Sequence, residues 1–389
     1  MAPPVLADSD WSRRDTAISF RELMQVHHDP AHHDVYLSKS PGYPPTATTR
    51  TYGGHVFAQS AWSAAHTVPF GLHVHSITGY FLLLGDTRFP FKYVVRRVRT
   101  GGVYALRQVD VYQDSDAGDH GRVPCFVALV SFKRDESRKH QDGAKGQRSS
   151  FSHQAVDRQY VRKEYRSVLE GRLFEDWPLC QGADGFWDKN MNVDEWKRRG
   201  RVFPGLEMRK VDMRAYNKAL PPRGGEAADG GRAARQWRLL VMYRYIDDAD
   251  DKHVSTKQRA TAADDHLNLH ACAHLYASDR NSLFLGKRAL GFQTAAGTMG
   301  SLSHTVNIHC SPSELAMLEP ATGRCKTFVQ ESWISNSGGD RVCHNSRIFD
   351  FEQGRLLMST VQDGMMRMSV KFDPDQIDGD EIMRRDHKL

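Results

Sequence analysis

The stretch 264–290 reads DDHLNLHACAHLYASDRNSLFLGKRAL. Its spacing predicts a helix. Asp264 and Asp265 put negative charge near its start, where exposed backbone N–H groups favour it. Positions three, four or seven apart share a helical face, so Cys272, Leu275 and Tyr276 fall on the same side as Asp279. An ionisable carboxylate is thereby set on an apolar stripe. Burying an unpaired carboxylate is costly. Asp279 is therefore expected either to be hydrogen-bonded as a structural aspartate or to line a wet cleft, and this segment alone leaves both open.

Strand patterns follow the helix at 303–310, 325–335, 341–350 and 356–370, with Gly338-Gly339 and Gln353-Gly354 marking turns. The same order occurs earlier in the chain. Small and apolar residues recur at helical spacing over 55–68 (HVFAQSAWSAAHTV), as in a helix buried on most sides. Strand patterns then run over 74–84, 91–100, 103–113 and 125–133, broken by Gly85-Asp86, Gly101-Gly102 and the polar run 114–122. Helix then antiparallel strands, twice, is an α+β pattern and implies an internal duplication visible in element order. Residues 133–150 (KRDESRKHQDGAKGQRSS) are charged and poor in apolar residues, a linker composition. Helical periodicity resumes near 160–173. The tryptophan-bearing span 177–201 reads as a lid or a connection. Strand patterns at 203–216 and 236–245, split by a Gly-rich loop at 221–234, lead back to the opening helix. The division is an N-terminal repeat at 1–133, a linker or insertion at 134–202, and a C-terminal repeat at 203–389. A short helix is expected over 20–28 and a frayed segment before it.

The chain has 389 residues, enough for two domains or one double domain, and a hydrophobic fraction of 40%, as in soluble globular proteins. No apolar run approaches a membrane span, and the start lacks an apolar signal core, so no membrane span and no secretion are expected. Six scattered cysteines without a Cys-x-x-Cys pair point to reduced, structural thiols and away from zinc. A net charge of +6 spread along the chain argues against a nucleic-acid partner and tolerates a phosphate-bearing ligand.

Five segments taken in order carry a more specific signal: TYGGHVFAQ (51–59), HSITGYFLLLGD (75–86), YASDRN (276–281), SLSHTVNIH (301–309) and STVQDGMMR (359–367). They resemble the blocks of type II acyl-CoA thioesterases, over about 53–132 and 203–367. The resemblance implies a double hotdog, each repeat wrapping a curved antiparallel sheet around a long helix. It further implies hydrolysis of acyl-CoA to free fatty acid and CoA, with no metal or organic cofactor. In that family an aspartate, a threonine or serine, and a glutamine hold the attacking water, and the matching blocks assign these to Asp279, Ser301 and Gln362. Taken alone, Ser301 is a turn serine and Gln362 an exposed strand residue. Ser303 stands where relatives usually carry aspartate, and His55 where glutamine is common, so no catalytic residue is assigned to the first repeat.

Gly53-Gly54 precedes a helix start and suits either a tight turn or a donor site for a carbonyl oxygen or phosphate. His27-His28 and His32-His33 read as solvated loop histidines. The chain closes on His387-Lys388-Leu389, which departs from Ser-Lys-Leu only at its first position. The resemblance makes this an address for the peroxisomal import receptor, with a cytoplasmic location otherwise. Two rivals remain at this level: a non-catalytic acyl-CoA-binding hotdog protein, and a hotdog hydratase or dehydratase, which would need an Asp/His pair that YASDRN lacks. Acyl-chain length is not legible, and oligomeric state, homo-oligomer included, stays open.

Overall fold

The alanine-rich segment forms a helix, Gly53–Ala65, in which every residue from Gly54 to Ala64 is buried. Small side chains let neighbours approach from all sides, and two of its polar groups, Gln59 and Ser60, are satisfied inside. Gln59 Oε1 accepts from the Tyr93 hydroxyl at 2.6 Å, and Ser60 donates to the Val56 carbonyl at 2.7 Å. The structure, a computed structural model, describes residues 18–40, 42–44, 50–114, 123–135, 153–179, 203–218, 237–246, 256–280, 282–290 and 297–368. The C-terminal tripeptide, most of the charged linker and the Gly-rich loop fall outside these.

Twelve strands form one sheet: β1 (Val26–His28), β2 (Val35–Ser38), β3 (Leu72–Phe81), β4 (Phe91–Thr100), β5 (Tyr104–Gln113), β6 (Phe126–Arg134), β7 (Leu206–Lys210), β8 (Leu239–Tyr245), β9 (Gly297–Ile308), β10 (Phe328–Gly338), β11 (Arg341–Asp350) and β12 (Leu356–Met368). Their order is β1-β2-β4-β5-β6-β3-β9-β12-β11-β10-β8-β7. All neighbouring pairs are antiparallel, and β3 meets β9 at the centre. Read outward from that junction, the two halves follow the same sequence order, so the duplication expected from the sequence is present in the topology. Local chemistry sets the turns. Between β10 and β11, Gly339 and Asp340 both have positive φ (57° each), the backbone a two-residue hairpin loop demands.

The second long helix, Thr256–Ser278, packs against the first. The two run in opposite directions. Asp279, just past its C-terminus, lies beside Gly53 at the other's start, and Asn268, farther back, bonds the backbone of Leu72 and Val74 beyond the other's end. Side chains from both helices and the inner face of the sheet form one continuous core, including Phe57, Tyr93, Phe126, Leu275, Tyr276 and Met358. Burial of each such side chain contributes on the order of 1.5–3 kcal/mol.

Several expectations need correction. The single helix over 264–290 is two: Thr256–Ser278 and Ser282–Ala289, broken at Asp279-Arg280. The helix over 20–28 stops at Leu23, and His27-His28 belong to β1, paired with Tyr36 and Leu37. The strand over 203–216 is the shorter β7 followed by a helical turn at Arg214–Lys218. Residues 153–179 form a layer on the face of the second half-sheet away from the long helices. Tyr165, Val168, Phe174 and Trp177 there pack on Leu240, Met242, Val329 and Phe349. This explains why β8 reads LLVMY without alternation: Val241 and Tyr243 face the helices while Leu240 and Met242 face the added layer. Beneath it Glu331 is fully buried and held by the hydroxyls of Tyr160 (2.9 Å) and Tyr165 and by Arg347 at 2.8 Å.

Candidate active site

Asp279 is not on the stripe of the helix but one residue beyond its last turn. Helix C-termini carry negative partial charge, so this position is unfavourable for a carboxylate unless something offsets it. The offset comes from the other repeat. Helix Gly53–Ala65 begins without a side-chain cap and without an acidic residue in its first turn. Asp279 takes that role across the repeat boundary, accepting from the Gly54 backbone N–H. The approach is close enough that any side chain at these positions would displace a neighbour. A Cβ on Gly53 would sit 2.9 Å from Asp279 Oδ2, and one on Gly54 would sit 2.7 Å from the Tyr276 carbonyl. The Tyr52 hydroxyl donates to that carbonyl at 2.6 Å, fixing the two helix ends together. The Gly54 N–H is thus a donor whose acceptor is the Asp279 carboxylate.

The trio assembles from three elements. Gln362 Nε2 donates to Asp279 Oδ1 at 2.6 Å and to Ser301 Oγ at 2.7 Å. A carboxylate only accepts, so this contact sets the Gln362 amide with its NH2 toward Asp279. Ser301 accepts from Gln362, and its own hydroxyl hydrogen is left to donate to a third group. Gln362 is fully buried rather than exposed, because β12 turns Met358, Thr360, Gln362 and Met366 inward together. Ser301 lies within β9 rather than in a preceding turn, and a bulge aims it. Ser303 pairs with Asp363 and Ser301 with Gly364, which leaves Leu302 as the extra residue. That bulge shifts the alternation by one, so Ser301 reaches Gln362 while Leu302 is 38% exposed.

Electrostatics make Asp279 unusual. Burial raises its pKa from 3.8 to about 6, against the lowering effects of Gln362, the Gly54 N–H, Arg280 and Ser282. A carboxyl poised near neutrality can both take and return a proton. Around it lies a buried polar network. His304 Nε2 meets Ser278 Oγ at 2.8 Å, Gln330 Nε2 donates to the Ser278 carbonyl at 3.0 Å and to Ser346 Oγ at 3.1 Å, and Ser346 and Thr360 share a 2.7 Å bond. His304 packs on Phe57 and is pushed by burial to about 3. Ser278, His304 and Thr360 fall inside the quoted blocks, whereas Gln330 and Ser346 lie in none of them. The inward alternation of β10, β11 and β12 was the signal that could have found them.

The first repeat has no matching trio among the described residues. Its β3 carries the corresponding bulge at His75, since Val74 pairs with Phe132 and Ser76 with Ser131. Matching the two bulges sets Val74 in the place of Ser301 and Val130 in the place of Gln362, both buried and apolar. Asn268 fills the rest, accepting from the Val74 N–H at 2.9 Å and donating to the Leu72 carbonyl at 3.1 Å. His55 is fully buried and pushed down to about 4. Of the surface histidines, His32 meets Asp29 at 2.8 Å and His33 meets Asp34 at 3.2 Å.

Two matched half-sheets closed around a pair of antiparallel helices define the class, a double hotdog protein. The fold is shared with acyl-CoA thioesterase II TesB2 of Mycobacterium marinum (TM-score 0.53, 21% identity, 91% of this chain and 99% of that one). It is shared equally with a hot dog fold protein from Alicyclobacillus acidocaldarius (TM-score 0.53, 12% identity, 90% and 98%). Residues 40–133 match the family described as acyl-CoA thioesterase N-terminal domain. Curated relatives agree in kind. Acyl-coenzyme A thioesterase 8 of Mus musculus is 28% identical over 193 residues, 46% of this chain. Peroxisomal acyl-coenzyme A thioester hydrolase 1 of Saccharomyces cerevisiae is 30% identical over 96 residues, 25% of this chain and 26% of that protein. The match spans 58% of the mouse protein's length. The resemblance to type II acyl-CoA thioesterases therefore holds in fold along the chain and in sequence over these parts.

Proposed function

We propose that this protein hydrolyses fatty acyl-CoA to free fatty acid and CoA, using a water held by Asp279, Ser301 and Gln362. The observation that carries the reading is the Gln362 amide bridging Asp279 and Ser301, three residues from separate elements, beside a carboxyl raised to about 6. In this reading the Asp279 carboxylate takes a proton from the water as its oxygen attacks the thioester carbon. The carbonyl becomes an oxyanion, and collapse breaks the C–S bond. Asp279 returns the proton to the departing thiolate, so the products are the acid and free CoA thiol. A thiolate leaves readily, and catalysis needs an activated water and a stabilised oxyanion rather than a side-chain nucleophile. The dipole of helix Gly53–Ala65 adds positive potential beside the carboxylate.

A protein that only binds acyl-CoA gains nothing from burying these polar groups, which disfavours that rival. A hydratase is disfavoured because Asp279 is held by Gln362, the Gly54 N–H and Ser282, and no histidine among the described residues bonds it. The same proposal includes delivery to peroxisomes through receptor recognition of His387-Lys388-Leu389, supported by the sequence of that tripeptide and by the name of the yeast relative.

The test is thiol release with short, medium and long acyl-CoA esters in buffer containing a chelator. Release of free CoA from at least one class is expected. Binding of acyl-CoA without hydrolysis of any would leave the binding-protein reading in its place.

A further inference from the structure

Gln362 has hydrogen-bonding capacity that the trio does not use. Its Nε2 hydrogens go to Asp279 and Ser301, while Oε1 is buried and accepts from no described residue. Directly opposite it on β11 stands His344. Both residues are fully buried on the inward face of the sheet, and neither ring nitrogen of His344 has a partner among the described residues. The neighbour on the other side, His304 on β9, meets Ser278 through Nε2, and its remaining interaction is with the Val361 backbone. Burial pushes His344 down to about 3, with His304 adding to the effect, so the ring is neutral at physiological pH. A neutral imidazole carries one N–H donor and one acceptor nitrogen. An orphan donor and an orphan acceptor therefore occupy facing positions on paired strands, where Cβ atoms are roughly 4.5–5.5 Å apart. Buried polar groups in folded proteins are normally paired, often through one enclosed water.

We propose that His344 is a positioning residue for the water-holding site, its ring N–H bonding Gln362 Oε1 through one buried water and so fixing the direction of the amide. The physical need is clear. A Gln amide can rotate by half a turn, and Oε1 facing the Asp279 carboxylate would replace attraction with repulsion. Ser301 does not decide the matter, because a hydroxyl accepts or donates equally well. The Asp279 carboxylate already disfavours the flipped amide, and a donor behind Oε1 adds to that preference where Ser301 adds nothing. This inference rests on the reading of the trio as the water-holding site.

The test follows the Asp279 carboxyl by 13C resonance in aspartate-labelled protein, assigned by its loss in Asp279→Asn. The other groups that bear on this carboxyl are the Gly54 N–H, Arg280 and Ser282, with the buried tyrosines Tyr52 and Tyr276 nearby; all are unchanged by substitution at 344. His344→Phe keeps a planar ring and removes the donor, and His344→Gln restores one. Expected is a rise in the carboxyl midpoint in His344→Phe, in the direction of Gln362→Ala, recovery in His344→Gln, and no further rise in the double variant over Gln362→Ala. In turnover, His344→Phe should lose about 10-fold in kcat with KM within about 2-fold, as for an interaction made chiefly in the transition state. A second measurement uses no substitution at 344: the wild-type His344 ring N–H should exchange slowly with solvent, and faster in Gln362→Ala. An unmoved carboxyl midpoint, a fast-exchanging ring proton, or effects that add in the double variant would each overturn the proposal. Absence of acyl-CoA hydrolysis in the wild type would instead remove the functional reading, while the carboxyl titration still decides the role of His344.

Discussion

Replacing Gly53 by alanine should separate activity from stability. Gly53 is the first residue of its helix and its φ is not positive, so the backbone accepts a side chain. The new Cβ would lie 2.9 Å from Asp279 Oδ2 and 3.0 Å from Phe81 Cε1, where ordinary contact begins at 3.4 Å. The carboxylate must therefore swing away at the end of its side chain, and the edge of the Phe81 ring must give as well. Swinging strains the 2.6 Å bond from Gln362 and the alignment of the held water. Displacements of about 1 Å at a reacting centre can cost about 100-fold, so a loss on the order of 10-fold to 100-fold in kcat is expected. Stability should hardly change. Alanine gains up to about 1 kcal/mol of helix propensity over glycine, and a weakened hydrogen bond loses about the same. The assay pairs kcat with the thermal midpoint. Wild-type turnover in a folded Gly53→Ala protein would refute the claim that the helix start and the carboxylate are packed against each other for catalysis.

Other outcomes follow from the same geometry. Because Asp279 must be ionised to act as base, kcat/KM should rise with pH and level off above about 6, and this limb should vanish in Asp279→Asn. The same raised pKa carries a stability sign. A carboxyl that binds its proton more tightly when folded favours the fold at low pH and loses that contribution as pH rises from 3.8 through about 6. Asp279→Asn should therefore raise the thermal midpoint at neutral pH while lowering activity, as read by melting curves at two pH values. Arg347→Ala removes the nearer guanidinium from buried Glu331, leaving Arg238 at 3.7 Å and the hydroxyls of Tyr160 and Tyr165, and should cost about 1.5–3 kcal/mol in denaturant unfolding, as for the loss of a hydrogen bond to a charged group. Deleting Lys388-Leu389 should render a tagged protein cytosolic by microscopy, and identical distributions of the intact and truncated forms would end the targeting proposal.

The sequence made the fold legible wherever local chemistry and tertiary structure agree. Gly101-Gly102 and Gly338-Gly339 mark real hairpins, and the alanines of 55–68 mark a helix with neighbours on all sides. It failed where packing overrides local preference. No glycine or proline announces the break at Asp279-Arg280, so periodicity ran through it; the break reflects a carboxylate drawn to the opposite helix start. Ser301 looked like a turn residue because a bulge at Leu302 shifts its alternation. Gln362 looked exposed because polar residues on strands usually are, and only a partner elsewhere in the chain justifies its burial. The layer at 153–179 was hidden because its charges pair at the surface, as Lys163 with Asp157 and Arg166 with Glu170, while only the hydroxyls of Tyr160 and Tyr165 reach the buried Glu331.

The central claim is that Asp279, Ser301 and Gln362 act on one water. The most direct test is turnover of Asp279→Asn, Gln362→Ala and their double variant, each confirmed folded, with affinity for acyl-CoA measured alongside. Asp279→Asn keeps size and most hydrogen bonding but removes the base, so kcat should fall on the order of 100-fold or more. Gln362→Ala should fall somewhat less, and the double variant should be barely slower than Asp279→Asn alone, because residues serving one step do not add. Near-wild-type turnover in Asp279→Asn, or losses that multiply in the double variant, would contradict the account.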